Sequence, residues 1–258
     1  MTFKLSTGLV NALSQNMGFA KVFNRGSINI YSGAQPVNAD AAVTGTLLGT
    51  VTASSGALTQ ETRATGTIVL TGGASGSVNT VTVGTYNIIP DGAVNFNTSL
   101  NQTASDLCDA INRNGIFTAT VSGATITITA SPGSGASYNG LTLTATLTTI
   151  TATYGGGTVS GGVAPVNGLI LSQPAVGIVS KLAGQVWSFN GVAAGTAGWF
   201  RFIASVSDSG AAAVAAPWPV RLDGSIAVSG GDMALSNISV AIGAPNTIDV
   251  ATFQIPQS

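Results

Sequence analysis

Three carboxylates near the C-terminal end are the side chains best placed to do chemistry. Asp208, Asp223 and Asp232 fall within one stretch of the 258-residue chain. A pair of carboxylates is what a glycosidase needs, one as acid and one as base or nucleophile. Spacing alone does not make such a pair. Asp208-Ser209-Gly210 and Asp223-Gly224 also carry the chemistry of turns, in which Asp bonds its own backbone, and the turn reading is the stronger one. The chain has no His. That excludes a Ser–His–Asp or Cys–His relay and a histidine metal site. Asp40 either caps a turn or offers one calcium ligand. A calcium site takes about 6–8 oxygens, and no DxDxD-type loop supplies them. The pairs Gly72-Gly73 and Gly230-Gly231 read as turns, because no GxxxxGK(S/T) or GxGxxG follows a strand and opens a helix. Cys108 is the single cysteine, so no internal disulfide or cysteine cluster forms. It sits beside Leu107 and Ile111 with only Arg113 as a nearby cation. A buried inert thiol is expected, not a nucleophile. No catalytic, cofactor-binding or metal-binding residue is therefore assigned, and an enzyme is not expected.

The most aromatic patch is Trp199-Phe200-Arg201-Phe202. In a strand, Trp199 and Arg201 share one face and the two Phe the other. The Phe pair reads as core. Trp and Arg are favoured at interfaces, so the face of Trp199 and Arg201 either meets a partner or carries an Arg stacked on Trp at an exposed sheet.

Composition narrows the classes further. The chain holds eight Lys and Arg against nine Asp and Glu, and charged residues are 7% of it, against about 25% in an average domain. Eight scattered cations do not make the basic footprint of a nucleic-acid binder. At 45% hydrophobic the chain is too apolar for disorder. So few charges protect a free monomer poorly against association, which points to a chain whose surface neighbours cover. The first residues superficially resemble a signal peptide, with Lys4 before Leu5, Leu9, Val10 and Leu13. Ser6, Thr7, Asn11, Ser14, Gln15 and Asn16 break any apolar region. No run of about 18 apolar residues exists, so no membrane span is expected, and the chain is expected to be made in a cytoplasm.

The elements that would position these residues are mostly strands. Leu5, Leu9, Ala12, Leu13 and Met17 fit an amphipathic helix capped by Ser6 or Thr7 and stopped at Gly18. Strands are predicted at 27–31 and 46–52. A Gly/Thr/Ser-rich block runs from about 64 to 163, without Trp or Lys. Its strand runs are 67–70, 78–83, 86–89 and 94–96. Thr103-Ala104-Ser105-Asp106 has capping-box spacing, Leu107, Ala110 and Ile111 give a helical stripe, and Gly115 gives the stop. Runs at 117–121 and 124–130 follow, joined at Ser122-Gly123 as a hairpin. The run 141–153 alternates apolar residues with Thr and slips phase at Thr148-Thr149, which predicts one strand with a bulge. Gly155–157 and Gly161-Gly162 read as a flexible exit. The tail offers strands at 185–189, 198–204, 225–228, 233–236 and 248–255. Short runs punctuated by Gly, Pro and Asn mark a sandwich or barrel.

The expected fold class is all-β: a β-sandwich host domain, 1–63 plus 164–258, with a short N-terminal helix, and an inserted β-rich domain, 64–163, carrying one helix. The rival arrangement is one elongated β domain.

Two resemblances arise from longer strings. KLSTGLVNAL, INIYSGAQPVNADAAVTGTLLGTVT, KLAGQVWSFNGVAAGTAGWFRF and RLDGSIAVSGGDMALSNISVAIGAPNTIDVATFQIP resemble small structural proteins of tailed bacteriophages. The block string GTIVLTGGASGSVNTVTVGTYNIIP, with NFNTSLNQTASDLCDAINRNGIFTATVSGATITITASP, resembles a module of phage fibre, tail and surface proteins. Its centre, Ala110-Ile111-Asn112 followed by 117–121, is similar to the IN motif of flagellar hook-associated proteins. Cys108 departs from the small or aliphatic residue expected there. The resemblance implies a virion component and leaves its place open among neck or collar, capsid exterior and tail. The expected role is that of a non-enzymatic exterior protein, at the head–tail neck or collar or as a capsid decoration. Its partners would be other virion proteins and copies of itself, with weak host-surface contact through 64–163 and with neither nucleic acid nor membrane. Alternatives are a receptor- or glycan-binding tail or fibre appendage, a depolymerase, and an S-layer-like surface protein. For glycan binding, the block offers only Tyr86, Tyr138, Tyr154, Phe96 and Phe117.

Overall fold

The computed structural model describes residues 3–15, 17–215 and 218–254. The chain is mainly β and divides into two compact units, Met1–Glu61 with Pro165–Ser258, and Thr62–Ala164. These boundaries lie one or two residues from the expected ones.

In chain order the host unit begins with β1 (Lys4–Leu5), α1 (Thr7–Ser14), α2 (Phe19–Val22), β2 (Ser27–Ser32) and β3 (Leu47–Ala53). The inserted unit follows with β4 (Thr65–Gly72), β5 (Ser77–Val83), β6 (Tyr86–Asn87), β7 (Val94–Asn95), α3 (Leu100–Asn112), β8 (Phe117–Ser122), β9 (Thr125–Ala130), β10 (Leu143–Thr148) and β11 (Thr151–Ser160). The host resumes as β12 (Ile178–Ser180), β13 (Trp187–Asn190), β14 (Gly195–Ile203), β15 (Arg221–Ala227), β16 (Met233–Ala234), β17 (Ser239–Val240), β18 (Pro245–Ile248) and β19 (Thr252–Gln254). The expected strand 248–255 is thus two strands, and its last residue lies outside the described residues.

The host is built on one large sheet in the order β1-β15-β14-β2-β3-β13-β18, with β16 on β15 and β17 on β14. Side-chain alternation gives this sheet two faces. Phe200 and Phe202 of β14 point to the face shared by Ile30 and Ile28 of β2 and Leu222 of β15, their cross-strand partners and neighbours. A second layer covers it. Phe23, just past α2, stacks on Phe202 at 4.3 Å between centroids, and Phe253 of β19 lies 5.6 Å from Phe202. Helix α2 adds Phe19 against Phe253 at 5.3 Å, and α1 adds the fully buried Leu9. The architecture is sandwich-like, a large sheet faced by the β12–β19 pair and two helices.

Helix α1 starts where a polar side chain can take its free N–H groups. Ser6 Oγ accepts from the Leu9 N–H at 3.1 Å. The helix ends at Ser14 with Gln15 as its C-cap, before the expected stop at Gly18. Met17 is buried beyond it.

The inserted unit has its own core, formed by Ile68, Val81, Leu107, Ile111, Phe117, Ile126 and Ile128 among others. It holds two four-stranded sheets, β10-β5-β6 with β7 on β5, and β11-β4-β9-β8. Three expectations are corrected here. Helix α3 is capped by Ser99, whose Oγ accepts the Gln102 N–H at 3.1 Å, so Thr103 lies inside the helix and not at its cap. The Thr103 hydroxyl donates back to the Ser99 carbonyl at 2.8 Å and accepts the Asn97 N–H at 2.9 Å, and the start moves upstream accordingly. The run 141–153 is two strands in different sheets. Thr149, at φ +65°, turns the chain between β10 and β11 at the place where the alternation slips. Gly155–157 are no free exit either. They lie in β11, whose pairing with β4 shifts register between Gly155 and Ser160, the mark of a bulge.

Candidate functional site

The second face of the host sheet is the polar phase of the same strands. Along β14 it carries Trp199 and Arg201, along β15 Arg221, Asp223 and Ser225, and along β2 Asn29 and Tyr31. Arg201 and Asp223 are register partners. Arg201 Nε donates to Asp223 Oδ1 and Nη2 to Oδ2, both at 2.7 Å. The planar guanidinium matches a carboxylate in this fork-to-fork geometry. Arg221 repeats the arrangement with Asp208, Nε to Oδ2 and Nη2 to Oδ1 at 2.6 Å.

Loop backbone closes over these pairs. Arg201 Nη2 also donates to the Ala41 carbonyl at 3.2 Å, Arg221 Nη1 to the Ala39 carbonyl at 3.3 Å, and Trp199 Nε1 to the Thr44 carbonyl at 3.3 Å. The segment that supplies those carbonyls is tied to the loop after β14, by Val43 N–H to the Gly210 carbonyl at 2.9 Å and Ala213 N–H to the Asp40 carbonyl at 2.8 Å. Asp40 anchors it at the other end, both its oxygens accepting the Thr7 N–H at 3.0 and 3.1 Å. Asp40 therefore holds the first residue of helix α1, its carboxylate also accepting the Thr7 hydroxyl at 2.7 Å.

The expectation for Trp199 and Arg201 is corrected by this burial. Trp199 is 0% and Arg201 1% exposed. The Arg–Trp contact exists, with the guanidinium carbon 5.5 Å from the ring centroid, and Tyr31 stacks on Trp199 at 4.5 Å. All of it is sealed beneath the chain's own loops, so neither residue presents a surface to a partner. The sequence signal for the pair was an R-x-D run in one strand beside a W-x-R run in another, opposite signs in the polar phase of two strands.

The carboxylates are likewise accounted for. Asp223 lies in a strand and not in a turn. Gly224 after it leaves room for the Phe200 ring, where a Cβ would come within 2.5 Å of a ring carbon. Burial pushes the Asp223 carboxyl up from its ordinary value, against the hydrogen bonds and charge of Arg201 and the charges of Arg221 and Lys4. Asp208 does bond its own loop, accepting the Gly210 N–H at 2.8 Å, and holds Arg221 as well. Asp232 accepts the Ser225 N–H at 2.9 Å and its hydroxyl at 2.8 Å. Each of the three holds a structural partner. Cys108 is 6% exposed, and burial, then Asp109, push its thiol up. Among the described residues no group of three or more His, Cys, Asp or Glu is placed to hold a metal ion, and no helix is long and apolar enough to cross a membrane.

Beside the ion pairs the polar face opens into a groove of about 510 Å³, lined by Ser27, Asn29, Thr50, Thr52, Asn190 and Asp208 among others. Thr50 donates to Asn29 Oδ1 at 2.9 Å and Thr52 to the Gly56 carbonyl at 2.8 Å. Ser27 Oγ is buried without a hydrogen-bond partner among the described residues. Hydroxyls and amides dominate, and its one carboxylate is held by Arg221. The groove can bind through hydrogen bonds and offers no activated nucleophile.

No protein-family model, curated protein or solved structure matches this chain.

Proposed function

We propose that the chain is a non-enzymatic structural component of a tailed bacteriophage particle, carried on its exterior at the head–tail neck or collar or as a capsid decoration, and assembled as a symmetric homo-oligomer. The observation that carries this reading is where the charges are. The chain has eight cations and nine carboxylates, and Arg201, Arg221, Asp208 and Asp223 are enclosed in two buried ion pairs. The outer surface is poorer in charge than the composition alone implies. Aliphatic side chains stand out on it, among them Val37, Val176, Val214, Ile242 and Val250, each more than 70% exposed. A surface of this kind is protected by neighbours and poorly protected by water. The resemblance of the host strings to phage structural proteins supplies the kind of assembly.

Gold-labelled antibodies against residues 62–164, imaged on virions of the encoding phage, test it. Label at the head–tail junction identifies a neck or collar protein, and label over the head a decoration protein. Label at the tail tip favours the receptor-binding appendage instead. Particles without label, and without peptides of this chain by mass spectrometry, refute a virion role.

A further inference from the structure

The inserted unit contains a cleft of about 410 Å³ lined by Gly84, Thr85, Tyr86, Ser137, Tyr138 and Leu141. Its two walls are pinned. Gly84-Thr85 is the two-residue turn between β5 and β6, set by the Val83–Tyr86 pair. Gly84 takes the φ of +57° that a side chain disfavours. Its N–H bonds the Thr142 carbonyl at 2.8 Å, and Gly140 N–H on the opposite wall bonds the Val159 carbonyl at 2.9 Å.

The aromatic pair inside is arranged and held. Tyr86 and Tyr138 meet edge to face, 5.9 Å between centroids and 82° between planes. Tyr138 leans on the fully buried Phe117 at 4.9 Å. Tyr86 is 42% exposed, the one aromatic among the exposed large hydrophobic side chains of the described residues. Every other aromatic of this chain is more deeply covered, so leaving this ring open in a concave site asks for a ligand.

We infer that this cleft is a binding site for a neutral saccharide, with Tyr86 as the stacking platform and the hydroxyls of Thr85, Ser137 and the tyrosines as hydrogen-bonding groups. The chemistry follows from the lining. A tyrosine face is apolar and electron-rich, which suits the C–H face of a sugar ring. Hydroxyls both donate and accept, which suits a polyol whose groups do the same. No lining side chain is charged, so an anionic sugar or a phosphate has no counter-charge there. The volume falls in the range of about 300–1,000 Å³ typical of small-ligand sites. A cleft bounded by one turn and one loop fits a ring better than an extended peptide. The prearranged pair lowers the ordering cost of binding, and a weak single site gains strength when many copies act together. The site stands independently of where the chain sits in a particle.

The test is ¹⁹F NMR of the full chain with 3-fluorotyrosine at its four tyrosines. Maltohexaose, chitohexaose and a galactohexaose are the neutral probes, with oligogalacturonate and a proline-rich decapeptide as comparisons. The expected result is a saturable shift of the Tyr86 and Tyr138 signals with at least one neutral probe, while Tyr31 and Tyr154 stay still. Tyr86→Ala weakens that binding about tenfold or more, Tyr86→Phe weakens it much less, and neither changes the melting temperature materially. No shift with any neutral probe at millimolar concentration overturns the inference. So does a shift produced only by the peptide or the anionic sugar, or one that survives Tyr86→Ala undiminished.

Discussion

Arg201 and Asp223 stand opposite each other on neighbouring strands and join through two 2.7 Å hydrogen bonds, with 1% and 0% of their side chains exposed. Removing either partner strands the other charge where water cannot reach it. Arg201→Met or Asp223→Leu alone is expected to cost about 3–5 kcal/mol. The double variant Arg201→Met/Asp223→Leu replaces the pair with apolar bulk and keeps most of the stability. Urea unfolding of the four proteins gives the coupling energy. Additive single-variant losses would show that the two side chains do not act as a unit.

Each unit has its own core, so each is expected to fold alone. Residues 62–164 expressed by themselves should unfold in one cooperative transition. The host with a short Gly-Ser linker between Glu61 and Pro165 should do the same. Calorimetry of the full chain should resolve into those two transitions. A fragment that stays unfolded while the intact chain folds would refute the independence of that unit.

The two capped helices should respond unequally. Ser99→Ala removes one cap acceptor, an expected loss of about 1 kcal/mol. Ser6 is fully buried, accepts the N–H groups of Leu9 and Arg221 at 3.1 and 2.9 Å, and donates to the Pro219 carbonyl at 2.8 Å. Ser6→Ala takes this partner from two buried N–H groups and one half-buried carbonyl and should cost more, about 2–4 kcal/mol. Chemical denaturation of both variants ranks them, and equal losses would contradict the buried geometry at Ser6.

Two groups predict opposite pH responses. Hydrogen bonds from Asn97 and then Gln102 hold the Asp106 carboxyl below its ordinary value. Its contribution to stability is therefore present above the unfolded-state value and lost as the pH falls through the folded one. The melting-temperature difference between the native chain and Asp106→Ala should shrink on acidification. The Cys108 thiol is pushed up, so its contribution is present below the ordinary thiol value and lost as the pH rises through the folded one. Native protein at pH 8 should alkylate at Cys108 far more slowly than urea-unfolded protein, followed by intact mass.

Much of the strand content was legible because alternation is a local signal. The run Trp199-Phe200-Arg201-Phe202 announced its two faces, and the slip at Thr148-Thr149 marked a real break. What local signals could not carry was pairing. Nothing near Asp223 in sequence shows that Arg201 lies across from it, and without that partner an Asp-Gly step reads as a turn. The same holds for Trp199 and Arg201. Their polar phase suggested an outer face, and only the loops folding back from 33–46 and 205–215 convert it into an interior one. The spacing of Thr103 to Asp106 fits a cap, but Ser99 has the equivalent spacing to Gln102, and the earlier start buries Thr103 and Ala104.

The ends of the inserted unit lie side by side, Thr62 and Val163 exchanging N–H to carbonyl bonds of 3.2 and 2.8 Å. In the host, Thr59 and Val166 exchange bonds of 3.1 and 2.9 Å. A segment whose first and last residues are neighbours can be gained, lost or swapped in a single recombination event without shifting any strand of its recipient. Such a gene is expected to evolve at two speeds: slowly in the sheet, where every strand answers to its neighbours, and quickly in the cassette, where selection follows whatever the exposed cleft meets.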